Sequence, residues 1–208
     1  MIRLVTAAIA VALLAAPAAA ATVSFDFTGG SGQSAATHAF SEDGLDLNVG
    51  GRKCFLGACG GVPVQHWSNG FGVDYGVLDN HQVDGALGNE AVTLAFSRAV
   101  SITALSFSYA DRSDDVAVFR LADGAYVHEA SGPIVRLGGR LGSFTLTGGT
   151  SATGFAVAAL DWDDAFKLRG VTVSYDDPEV APVPLPAAGW MLLAAMGGLA
   201  AARRRARA

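Results

Sequence analysis

The sequence predicts an all-β chain, an antiparallel β-sandwich flanked by an N-terminal signal peptide and a C-terminal transmembrane helix. Short runs with a two-residue apolar period recur about every 8 to 12 residues, separated by turn residues. Outside the two ends no apolar period of 3.6 residues is found. The 26 glycines show no three-residue repeat, and the runs between them are too apolar for a disordered chain.

The N-terminus reads as a secretory leader. Arg3 gives a positive start, 4–16 an apolar stretch and Ala18-Ala19-Ala20 a small-residue cleavage site, so residues 1–20 are expected to be removed. The strands then follow in order. Thr22 to Thr28 alternates cleanly, with Val23, Phe25 and Phe27 on one face and Ser24 and Asp26 on the other. Further strands are expected at 44–49, 91–97, 100–109, 115–121, 125–129, 141–147, 153–160 and 168–175. Asp123-Gly124 between two of them is the strongest short hairpin signal. Ser97-Arg98-Ala99 is expected to join its neighbours tightly. Residues 29–90 are dense in Gly, Ser, Asn and Asp and are expected to form long loops over one end, extended only near 45–49 and 71–78.

At the other end, 183–202 is 20 residues without a charge, enough to cross a hydrocarbon core of roughly 30 Å. Arg203, Arg204, Arg205 and Arg207 follow as a membrane stop, which puts the C-terminus inside and the body outside. This tail resembles the C-terminal sorting signal of bacterial PEP-CTERM proteins in its VPLPA form. Val183, Pro184, Leu185, Pro186 and Ala187 match the short motif, 189–202 the helix and the arginines the basic end. The resemblance implies an exosortase-type membrane enzyme as processing partner and an inner-membrane precursor released to the cell surface or medium. A plain tail anchor is the alternative. The chain thus divides into 1–20, an ectodomain 21–179 and a sorting segment 180–208. Within the ectodomain, 70–74, 84–85, 89–96, 100–107, 111–115 and 155–174 are similar to the strand-and-acid theme of other exported PEP-CTERM ectodomains. That likeness implies a jelly-roll or galactose-binding-like sandwich without an assigned activity.

Five of the 14 Lys and Arg (Arg3 and the four tail arginines) belong to the end segments, leaving nine against 19 Asp and Glu, about −10 for the ectodomain. Such a charge excludes a phosphate-backbone partner and favours divalent cations or neutral glycans. Cys54 and Cys59, in an oxidising setting, are expected to form a structural disulfide across a short loop. Zinc lacks two further ligands, and a redox pair lacks the CxxC spacing.

Three acidic clusters are candidates for calcium, which takes six to eight oxygen ligands. They are Asp74, Asp79 and Asp84 with Asn89 and Glu90; Asp111, Asp114 and Asp115; and Asp161, Asp163 and Asp164. The second and third are preferred because strongly predicted strands fix them; the alternative is a set of solvated turn acids. Trp67 and Trp162 are candidate sugar platforms, with core packing as the alternative. Catalysis finds no support: there is no GxSxG elbow, no HExxH, and Asp79-Asn80-His81 reads as a turn. Two readings remain. The first is a noncatalytic exported surface or matrix protein; the second is a carbohydrate-binding module stabilised by calcium.

Overall fold

Val23 and Phe25 are buried in β1 (Ala20–Asp26) while Thr22, Ser24 and Asp26 are exposed, the alternation of a strand with one face on a core. This computed structural model describes residues 20–76, 79–86 and 88–176, with 196, 197, 203, 205 and 206 near the C-terminus. Ala20–Tyr175 forms one unit, and Met1–Ala19 with Asp176–Ala208 another. The leader and Val183, Pro184, Leu185, Pro186, Ala187, Arg204 and Arg207 lie outside the described residues. Arg203 and Arg205 are helical and exposed. Among the described residues no helix is long and apolar enough to cross a membrane.

After β1 come β2 (Gln33–Ala35), β3 (Thr37–Glu42), β4 (Leu45–Phe55), β5 (Ala58–Val62), β6 (Val64–Trp67), β7 (Gly70–Val73) and β8 (Val83–Asp84). The long β9 (Asn89–Ser108) precedes β10 (Asp115–Ala122), β11 (Ala125–Pro133), β12 (Val135–Gly138), β13 (Leu141–Thr145), β14 (Ala152–Ala158) and β15 (Ala165–Asp176). Apart from an isolated bridge at Ala86 and Gly88, the pairings with a defined register are antiparallel.

Two sheets result. In the first, β3 and β5 flank one edge of β4, followed by the N-terminal half of β9, then β14, β10 and β11. In the second, β12 and β13 lead to the C-terminal half of β9 and then β15. That strand also pairs with β1, β7 and β8, and β6 and β2 follow β7. The sheets bury one continuous core. Rings meet across it: Phe25 and Phe96 lie 6.0 Å apart, Phe27 and Phe40 5.2 Å. The all-β antiparallel sandwich and the Cys54–Cys59 disulfide are both present.

Two expectations are corrected. The strands placed at 91–97 and 100–109 are one continuous β9, so Ser97-Arg98-Ala99 is a crossing between sheets and not a turn. Leu94 and Phe96 pair into the first sheet, Ile102 and Leu105 into the second, and all four stay buried, so the apolar pattern carries the strand across. Residues 29–90 hold seven strands and not long loops. Several are glycine-rich because backbone packs on backbone. A Cβ on Gly72 would lie 1.9 Å from the carbonyl oxygen of His81. Such glycines erase the side-chain alternation by which a strand is read.

Candidate functional site

The outer face of the first sheet carries an open groove. Along β14, Phe155 and Val157 enter the core, which turns Ala156 and Ala158 to the opposite face. Val92 does the same for Ala91 on β9. Register aligns Arg52 with Ala91, Ala91 with Ala158, and Ala156 with Phe119. The three alanines form a floor against which Phe119 and Tyr126 pack. The resulting groove is about 480 Å³, walled further by the Cys54–Cys59 disulfide, Asn89 and Leu160.

Among the described residues Arg52 is the one charged residue lining this groove. Its guanidinium stands 5.4 Å from the centroid of the Tyr126 ring. It makes no hydrogen bond or ion pair with a described residue. Burial raises the Tyr126 phenol above its ordinary value, against the opposing charge of Arg52, so the hydroxyl stays protonated at neutral pH. Apolar floor, aromatic walls and free polar donors suit an amphipathic ring such as a sugar.

A second cavity of about 220 Å³ opens at Lys53, Tyr75, Asp79, Asn80, Asp84, Ala86 and Glu90. Lys53 and Glu90 form a buried ion pair at 2.7 Å. The Asp84 amide donates to the other Glu90 oxygen, and the Lys53 ammonium lies 4.3 Å from the Tyr75 centroid. Burial pushes the Glu90 carboxyl up to about 7, the Lys53 hydrogen bond opposing the shift and the Asp84 charge adding to it. Burial likewise raises Asp84. Asp79, Asp84 and Glu90 have ligand atoms within 4.8 Å of one another, as do Asp74, Asp79 and His81, so these sets could hold a metal ion.

The preferred calcium clusters converge, but on amides. Asp114 accepts from the N–H groups of Asp111 and Ala165, and Asp164 from those of Asp115, Leu160 and Asp161. Both carboxylates are buried and staple the two loops to each other. Asp111 turns to Ser113, while Asp161 and Asp163 are exposed. Among the described residues, the acids that approach a common point belong to the first cluster and not to the two preferred on sequence grounds. Its signal was Glu90 at an inward position of an alternating strand.

Trp67 is no open platform. Its Nε1–H donates to Gln65, and the Lys167 ammonium sits 4.9 Å from its ring. Lys167 is itself buried, and burial lowers its amine to about 8. Trp162 is 80% exposed, two residues along from groove-lining Leu160. Asp79 accepts from the amides of Tyr75 and His81, the turn read from Asp79-Asn80-His81. Sequence reasoning missed Arg52, Phe119 and Tyr126, because strands distant in sequence, from β4 to β14, assemble the groove. The available signal was small residues at outward positions, Ala91 before Val92 and Ala156 and Ala158 on either side of Val157.

No protein-family model and no curated protein matches the chain. Among solved structures it is similar to a CBM32-3 module from a family 31 glycoside hydrolase of Clostridium perfringens, at 13% identity and a TM-score of 0.33, over 51% of this chain and 74% of that one. A likeness at that level bears on neither ligand nor site.

Proposed function

We propose that this chain is a noncatalytic, exported β-sandwich that holds saccharide in the outer-face groove lined by Arg52, Tyr126 and Phe119. The observation that supports it is the outer-face groove itself. A solvent-facing sheet surface would ordinarily present polar side chains, yet here three alanines form an apolar floor against which two aromatic side chains pack. Aromatic faces take the apolar side of a pyranose, and Asn89, Arg52 and the Tyr126 hydroxyl take its hydroxyls.

Retention on insoluble polysaccharide tests this. Wild type is expected to be held, Tyr126→Ala weakly, and Ala156→Trp, which fills the floor, not at all, at an unchanged melting midpoint. Retention of Ala156→Trp at the wild-type level would place binding elsewhere. Delivery rests on the VPLPA tail, through an exosortase-type enzyme to the cell surface or matrix. A mature C-terminus near Pro186 by mass spectrometry supports processing; an intact Arg203 to Ala208 leaves a membrane anchor. For calcium, the supporting geometry is at Asp79, Asp84 and Glu90. A melting midpoint equal in calcium and in EDTA removes that idea.

A further inference from the structure

We propose that the groove selects a carboxylate-bearing saccharide, a uronate, whose carboxylate is held by Arg52. This rests on the saccharide reading above and names its ligand class. The domain carries 19 Asp and Glu, yet none of those among the described residues lines this groove, and the charge found there is a cation. Elsewhere Lys53 is paired with Glu90 and Arg120 with Glu129. Among the described residues Arg52 has no such acid. The Tyr126 ring orients its planar guanidinium, leaving the N–H fork free for an incoming acceptor. A planar fork matches a carboxylate through two parallel hydrogen bonds, which a hydroxyl cannot supply.

The size of the groove agrees. About 480 Å³ accommodates one or two sugar rings. The floor alanines run from Arg52 across β9 to β14, so a ring resting on Tyr126 and Phe119 would direct one substituent toward Arg52. Overall charge does not decide the matter. At physiological salt, fields from acids beyond about 8 Å are largely screened, and the contact at Arg52 is local. The negative domain instead disfavours loose adsorption of polyanions, so what binds must do so through this site.

The test uses the ectodomain with alginate and polygalacturonate, each beside its carboxyl-esterified form, and a neutral glucan. Wild type is expected to bind the free acids about tenfold more tightly than the esters. Arg52→Gln is expected to erase that preference, and Arg52→Lys, which keeps the charge without the fork, to reduce it. Unchanged melting midpoints show that the variants remain folded. Equal binding of acid and ester, unaffected by Arg52→Gln, overturns the uronate assignment while leaving a saccharide groove in place. Binding of the neutral glucan alone does the same if Ala156→Trp abolishes it. Binding of none of these polymers, or of all of them by Ala156→Trp, overturns both.

Discussion

Asp164 accepts three main-chain hydrogen bonds from two different loops while its side chain is buried. Removing the carboxylate leaves amides of Asp115, Leu160 and Asp161 without an acceptor, so Asp164→Ala is expected to cost about 3 kcal/mol in urea unfolding. Asp164→Asn, which keeps one acceptor oxygen, should cost less. A loss within experimental error in both would mean the loops hold without the staple. His66 gives the pH dependence. Its ring stacks on Phe71 at 4.4 Å, and its Nε2 meets the carbonyl oxygen of Phe27. Burial holds the imidazole below its ordinary 6.5, with the His38 charge adding and the Phe27 hydrogen bond opposing. The unfolded chain therefore takes the proton more readily, and this contribution is complete above about pH 6.5 and lost as pH falls through it. Glu90 slopes the opposite way between 4.5 and about 7, so the check is the difference between wild type and His66→Gln. That difference should shrink on acidification; a constant difference from pH 7.5 to 5 would remove His66 as its source.

At the scale of elements, the hairpin of β4 and β5 forms a wall of the groove, and Cys54–Cys59 pins it with Cα atoms 4.1 Å apart. Loop closure over so few residues is worth about 2 kcal/mol. Cys54→Ser with Cys59→Ser is expected to lower the unfolding free energy by no more than that and to weaken polysaccharide retention further, since the wall loosens. Full retention by the double variant would show that the wall is not needed. The disulfide was legible in the sequence, as was the hairpin at Asp123-Gly124, where φ values of 50° and 79° make the type I′ turn that this pair favours. A strand with alternating side chains, such as β1, was legible from that alternation. β5 was not, because Gly60 and Gly61 carry no side chain to alternate, and of β7 only the extended run from Phe71 was legible. The groove was also hidden, since alternation reports that Ala156 faces outward but not which strand lies beside it.

For the whole molecule the consequence of β9 is cooperativity. Its first half is central in one sheet, between β4 and β14, and its second half lies between β13 and β15 in the other. Neither sheet can lose its middle strand without pulling on the core that both share, where Phe25 of one sheet meets Phe96 of the other. Sheets joined only by loops could open separately, whereas here the covalent chain and the core resist it together. Native-state hydrogen exchange on the β-sandwich domain checks this. The slowest amides of 91–96 and of 102–107 are expected to exchange with the same opening free energy, equal to that of global unfolding. Halves that differ by more than about 1 kcal/mol would show the sheets opening independently. The comparison also bears on the groove, because its floor belongs to β9 and β14 in the most protected part of the first sheet. A binding face built there is held open in the free protein, so ligand should add little protection to amides of 91–96 and act chiefly on the β4–β5 hairpin.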